Sequence, residues 1–330
     1  MNTIALLNST GGPSSSTLVY HLSAILADSG HRVMVLDLDP QVRLSRLNFE
    51  EQELESAWSD RGGSCSLFGA LSSALGGCGA GKELRFEQLQ ERLACVPGDP
   101  RLVALESAVS DVWRRYDAAE PSAIAVVDAC QNSLLRSAER FEADCMLLDL
   151  GTHLGGLTRL ALGACRHMVI SVVPDLIAWT GLKIMGPMLR EWARSYEPSI
   201  VRREGGEDRA NHFPRPIGYV VMPRQEDVFR HPFAEQVWVD RFPSAFREFI
   251  LNDASPPSET SQADPFCLGR PKLLRALLPL ALRARKPVFC LKPADGAIGA
   301  YGEAVGMAHR ELKQLAAAIE SRLTNDPPAG

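Results

Sequence analysis

Thr10-Gly11-Gly12-Pro13-Ser14-Ser15-Ser16-Thr17 is the stretch that decides the fold of this 330-residue chain. It follows a short apolar run, Ile4–Leu7, and leads into a helical pattern. A turn of this kind between a strand and a helix makes a phosphate cradle. Consecutive backbone N–H groups converge on one anion, at a helix N-terminus whose dipole favours negative charge. Gly11 and Gly12 permit the positive φ angles and the close approach that such a cradle needs, whereas Pro13 deletes one donor. Downstream, a second apolar run, Val33–Leu36, ends in Asp37-Leu38-Asp39-Pro40-Gln41, and a third, Cys145–Leu148, ends in Asp149.

The composition is that of a globular chain, with 45% hydrophobic and 23% charged residues and a formal charge of −5. That charge provides no global attraction to nucleic acid or anionic membrane, so any such contact must come from a local patch. The eight cysteines have no C-x-x-C pair, and several, such as Cys145 and Cys290, sit in apolar runs where a free thiol behaves as a small hydrophobe. The opening apolar run is too short for a signal peptide. No stretch approaches the roughly 20 apolar residues of a membrane span. A reducing cytoplasm is the expected compartment.

Further apolar runs at Ala94–Val96, Met168–Val173, Ile217–Met222 and Val288–Leu291 read as strands. Because they are continuous rather than alternating, they predict strands covered on both faces, as in a doubly wound, mostly parallel α/β sheet. Helices are predicted at 17–29, 101–116, 131–141, 155–165, 176–197, 233–251, 270–285 and 299–323. In the last, Leu312, Leu315, Ile319 and Leu323 keep the spacing of a sheet-packed face. Residues 1–323 are expected to form one domain with insertions near 59–82, 202–215 and 253–266, and 324–330 a frayed tail.

The strand, loop, helix, strand and Asp-x-Asp-Pro-Gln layout resembles the ParA/MinD family of deviant Walker-A ATPases, whose loop usually reads Lys-Gly-Gly-x-Gly-Lys-Thr/Ser-Thr/Ser. Here Thr10 replaces the first Lys, Ser14 the third Gly and Ser15 the P-loop Lys. The resemblance implies a P-loop NTPase-like fold and a site for ATP or ADP with Mg²⁺, formed by residues 11–17. It implies metal contacts from Ser16, Asp37 and the Walker-B position Asp149, and a water-orienting role for Asp39. Met222, Pro223, Pro293 and Asp295 would frame the base. Two unit charges 4 Å apart interact by about 4 kcal/mol at an effective dielectric of about 20, so losing one lysine weakens triphosphate binding by on the order of a thousandfold. Two readings of the loop follow: a nucleotide site of reduced affinity, or a Ser/Gly turn capping the helix with Ser14 or Ser15 as N-cap.

The similarity continues through Asp144–Leu182, Gly218–Met222 and Pro287–Ala300. His153 reads as a polar residue of the switch loop rather than a general base, and Lys183 as an exposed helix lysine or a substitute cation. Residues 270–286 carry Arg270, Lys272, Arg275, Arg283, Arg285 and Lys286 without an acidic residue. ParA-like proteins bind nonspecific DNA through basic C-terminal surfaces, so this stretch is either a DNA contact, which would make the protein nucleoid-associated, or a solvated helix face. The membrane-binding tail of MinD-type relatives is not expected, because the extension of the last helix is Pro-rich. The resemblance implies a pseudo-ATPase that pairs with itself, with a ParA-like ATPase, or with a ParB-like or cargo adaptor. A slow Mg²⁺-dependent ATPase is the alternative within the enzyme class.

Overall fold

A computed structural model describes residues 1–9, 14–58, 64–77, 83–201, 213–224, 232–253 and 264–324. The strands are β1 (Asn2–Asn8), β2 (Val33–Asp37), β3 (Ser64–Cys65), β4 (Glu83–Leu84), β5 (Glu87–Gln90), β6 (Leu93–Val96), β7 (Cys145–Asp149), β8 (His167–Val172), β9 (Arg215–Val221) and β10 (Cys267–Gly269). Eight of them form one sheet in the order β10-β9-β8-β1-β7-β2-β6-β5, while β3 and β4 pair separately. All pairings in the large sheet are parallel except that of β5 with β6.

Alternation along a strand sends successive side chains to opposite faces, and here both faces are covered. Ile4, Leu6, Val33, Val35 and Leu147 pack in one core, and Ala5, Leu7, Met34, Leu36 and Leu148 in the other. The helices are α1 (Ser14–Asp28), α2 (Arg43–Asn48), α3 (Glu51–Trp58), α4 (Leu67–Leu75), α5 (Glu106–Asp117), α6 (Pro121–Arg140), α7 (Gly156–Leu162), α8 (Leu176–Val201), α9 (Pro232–Val239), α10 (Phe242–Ala245), α11 (Leu274–Ala284) and α12 (Ala300–Thr324). Buried residues of α1, α11 and α12 line the first core, and those of α4 to α8 line the second.

The mostly parallel, helix-covered sheet is the predicted one. Val288–Leu291 differs: Val288–Cys290 is a 3₁₀ turn, with Val288 buried against α12 rather than in a sheet. Pro287 opens this turn and its carbonyl accepts from Cys290 N at 2.8 Å, so the backbone of the run is spent locally rather than on a ladder. Two edge strands, β5 and β10, and the short helices α2, α3 and α4 were not predicted. Helix α6 begins ten residues earlier than the predicted 131, with Pro121 in its first turn, where a missing N–H costs nothing. The charged segment 202–212, most of the 253–266 stretch and the tail after Thr324 lie outside the described residues.

Candidate nucleotide site

The carboxyl ends of β1, β2 and β7 meet at the N-terminus of α1. In the parallel register Asp37 is paired with Asp149, and Leu6 of β1 is also paired with Asp149. Registered partners on adjacent strands point to the same face about 5 Å apart, so both carboxylates stand on the α1 side of the sheet. Asp37 and Asp149 are fully buried, and Asp39 is 1% exposed.

The three carboxylates are held differently. Both oxygens of Asp37 are engaged. Oδ1 accepts from Asp39 N at 3.1 Å, and Oδ2 accepts from Ser45 N at 2.8 Å and Ser45 Oγ at 2.6 Å. Gly98 N in turn donates to Ser45 Oγ at 2.8 Å, and a Cβ on Gly98 would sit 2.8 Å from Asp37 Cγ. Asp39 Oδ1 accepts from Gln41 N at 3.0 Å, and Asp149 Oδ1 accepts from Gly151 N at 3.3 Å. Gly151 has φ 61°, and a Cβ there would lie 2.7 Å from Asp39 Cγ, so the turn after β7 needs glycine twice over. The remaining oxygens, Asp39 Oδ2 and Asp149 Oδ2, are buried with no hydrogen-bond partner, as is Ser16 Oγ in the first turn of α1. Arg43 Nη1 stands 4.0 Å from Asp39 Oδ2, at the outer limit of an ion pair.

Burial, then the facing Asp149 carboxylate, raises the Asp37 pKa to about 8, against the pull of the Ser45 hydrogen bonds. Burial likewise raises Asp149 to about 6, while the hydroxyls of Ser16 and Ser15 oppose the rise. Unpartnered buried oxygens on Ser16, Asp39 and Asp149 suit a hard cation, which takes oxygen ligands. Among the described residues no group of three or more His, Cys, Asp or Glu side chains is arranged to hold a metal unaided. Ser16 and Asp149 are the buried side chains here that could contribute oxygens to such a cation. Asp37, expected among the ligands, has both oxygens hydrogen-bonded and pins the end of β2 to α2.

The matching family model is that of an AAA domain, and it covers residues 1–201. The chain belongs to the AAA_31 family of AAA domains. Among curated relatives it is 25% identical over 187 residues to a Sinorhizobium fredii protein provisionally named replication protein A, covering 54% of this chain and 40% of that protein. A Rhizobium rhizogenes protein of the same name is 26% identical over 177 residues, covering 54% and 41%. The matched region is thus about two-fifths of the length of these relatives. Among solved structures, protein DIP2308 of Corynebacterium diphtheriae superposes with a TM-score of 0.66 at 20% identity, covering 99% of this chain and 100% of that one. A variant of Cyanothece McdA in complex with ATP superposes at 0.60 and 12% identity, covering 100% and 99%. A Borrelia burgdorferi plasmid partition protein superposes at 0.53 and 12%, covering 97% and 99%. The chain shares its fold with these three proteins.

In this AAA domain protein, Thr10, Gly11, Gly12 and Pro13 lie outside the described residues, and Ser14 opens α1. Ser15 is 1% and Thr17 5% exposed. Met222 is buried in the α1-side core and Pro223 is half-buried just beyond β9. Pro293 and Asp295 form a 3₁₀ turn in which Asp295 is committed elsewhere: it accepts from Lys286 Nζ at 2.8 Å and Lys292 N at 2.9 Å, the first of which lowers its pKa. His153 is exposed, and its carbonyl accepts from Thr158 Oγ1. The Lys183 ammonium lies 5.8 Å from the Trp179 ring on its own helix. Of the basic stretch, Lys272, Arg275, Arg283 and Arg285 are exposed and Arg270 and Lys286 half-buried. Acids from elsewhere in the chain reach it, Glu50 pairing with Arg285 and Asp295 with Lys286. Ser45, Gly98 and Arg43 were not picked out by sequence reasoning. They join the site through folding rather than through adjacency to a motif.

Proposed function

We propose that this protein is a degenerate ParA-like pseudo-ATPase, a cytoplasmic regulatory or adaptor protein in DNA segregation or cargo positioning, with hydrolysis absent or very weak. The observation that carries this reading is Ser15. The deviant Walker-A pattern calls for a lysine at that position, and the chain places there a neutral hydroxyl, 1% exposed and against Asp149. Charge on a transferring phosphoryl group is stabilised mainly by fixed cations and donors, so their loss acts on the chemical step first. ATP or ADP with Mg²⁺ then binds weakly or not at all. A single sheet that uses strands from Asn2 to Gly269 supports reading residues 1–323 as one domain. The partition and replication names of its relatives favour a partner of that kind: a second copy, a ParA-like ATPase, or a ParB-like or cargo adaptor. Steady-state phosphate release from saturating Mg-ATP is expected to match that of an Asp39→Ala control, and a rate well above it would sink the proposal. Ser15→Lys alone is expected to leave turnover far below family level, because Thr10 and Ser14 remain.

A second reading is supported by α11. Leu274, Leu277, Leu278 and Ala281 are buried, while Lys272 just before the helix and Arg275 and Arg283 on it face outward. Such a face contacts phosphates without reading sequence. DNA binding is expected to be insensitive to sequence, to fall steeply with salt, and to be lost when Arg275, Arg283 and Arg285 are all changed to Glu. Undiminished affinity in that triple variant, with an unchanged circular dichroism spectrum, would return α11 to the role of a solvated face.

A further inference from the structure

The loop that follows Asp149 is held at both of its ends. At one end Gly151 N donates to Asp149 Oδ1, and the glycine packs closely against the Asp39 side chain. Thr152, His153, Leu154 and Gly155 then lead to Gly156, where α7 begins. Helices shorter than about 12 residues are marginal on their own, so the seven-residue α7 takes its place from its neighbours. Chief among them is α5. Glu106 accepts from Gly156 N and, at 3.3 Å, from Leu157 N, and a carboxylate there suits the positive end of the helix dipole. One turn apart on the same helix, Trp113 Nε1 donates to Gly156 O at 2.9 Å and Asp117 pairs with Arg159 of α7 at 2.5 Å. The buried Arg159 guanidinium also lies 3.9 Å from the Trp113 ring centroid. The fit between the two helices leaves no slack. A Cβ on Gly155 would overlap Glu106 Oε1, and one on Gly156 would lie 2.9 Å from Val109 Cγ1. The start of α5 is tied to the site from the other side as well. Gly98, which backs Asp37 and donates to Ser45 Oγ, stands eight residues before Glu106.

We propose that α5 is a lever on the candidate site, with Glu106 as the contact that keeps the loop after Asp149 in place. Glu106 is a positioning residue: it acts through the backbone of Gly156 and Leu157, and these act through the loop on Gly151. Displacement of α5 breaks the Glu106 contacts, leaves α7 without its cap, and releases Gly151 from the two carboxylates it touches, Asp39 and Asp149. The control belongs to the nucleotide-free fold, so it stands or falls apart from the question of ATP turnover.

Amide hydrogen exchange of the full chain without nucleotide, resolved to single residues, tests the lever, because it reads local opening segment by segment. Glu106→Ala is expected to speed exchange at Gly156 and Leu157 about tenfold or more, the scale of losing hydrogen bonds to a charged acceptor. Exchange at Gly151 is expected to rise with them, while the amides of β2 and α12 keep their rates. Glu106→Gln, which retains an acceptor oxygen without the charge, is expected to show the same pattern at smaller amplitude. Should the alanine variant fail to fold, the glutamine variant decides by the same readings. Faster exchange at Gly156 and Leu157 with none at Gly151 would reduce Glu106 to a helix cap and overturn the lever. Unchanged exchange at all three amides would do the same. So would a rise in β2 and α12 as large as that at Gly151, since it would report a general loss of stability.

Discussion

Gly181→Ala is expected to destabilise the protein by about 3 kcal/mol, against the usual sign of such a change, which in an open helix position gains up to about 1 kcal/mol. Gly181 lies in α8, and a Cβ on it would meet the backbone oxygen of Ser9 at 1.8 Å. That atom belongs to backbone, so no side chain can swing aside. Ser9 N is itself tied to Ser171 O at 3.2 Å, which anchors the exit of β1 just before the glycine-rich loop. Relief therefore requires α8 or the entrance of the loop to move by more than an ångström. On the same helix Gly186 faces Phe249 O, where a Cβ would lie at 1.9 Å, so α8 is held by backbone on two fronts and cannot slide freely. Gly306→Ala is the control: nothing lies within 4 Å of its Cβ position in α12, and the substitution is expected to stabilise. Urea unfolding of the two variants checks the pair. Equal stabilisation by both would show that α8 does not press on Ser9.

Stability is expected to fall as pH rises from about 5 to about 8, the reverse of ordinary carboxylate behaviour. Burial raises both groups, and a neighbouring carboxylate adds to it, Asp149 acting on Asp37 and Asp39 on Asp149, so that Asp149 rises to about 6 and Asp37 to about 8, from a usual value of 3.8. Between the usual value and these raised ones the folded state binds protons that the unfolded chain has released, so the slope of unfolding free energy with pH is negative. The contribution is fully present below about pH 4 and is lost as pH rises through the two folded-state values. Each tenfold difference in proton affinity between the folded and unfolded states corresponds to about 1.4 kcal/mol, so the pair accounts for on the order of 3 kcal/mol or more across this window. Chemical denaturation at about pH 5 and about pH 8, with Asp37→Asn as the non-titrating comparison, measures it. The variant is expected to show the flatter profile, and an equally flat profile in the unmodified protein would mean that the carboxylates are compensated in solution.

The parallel sheet was legible because strands covered on both faces are continuously apolar, as at Val33–Leu36 and Cys145–Leu148. What escaped was whatever carries no such run. Strand β5, Glu87–Gln90, is polar and mostly exposed, and β10 is three residues long. Helix α4 owes its place to Leu67, Ala70, Leu71 and Ala74 packing in the core under α6, a tertiary effect that local pattern does not announce. Val288–Leu291 shows the converse, an apolar run whose burial comes from a helix. At the site, Asp37, Asp39 and Asp149 could be read from their places at strand ends. The division of labour among them could not, because Asp37 is engaged by Ser45, eight residues on, and backed by Gly98, sixty-one residues on. Glu106 is a similar case. It accepts from the backbone N–H groups of Gly156 and Leu157 and so caps α7 from fifty residues upstream.

The two rims of the sheet restrict how this molecule can meet another of its kind. A free strand edge invites a second chain to continue the ladder, which is how many sheets aggregate. Here one rim is the four-residue β5, which runs against its neighbours, shifts register between Gln88 and Gln90, and exposes Glu87 and Gln88. The other is the three-residue β10, whose ladder is interrupted between Cys267 and Gly269. Neither offers an incoming strand more than a bond or two. Among the described residues, the large sheet therefore offers self-association its helix and loop surfaces, where side chains rather than backbone choose the partner.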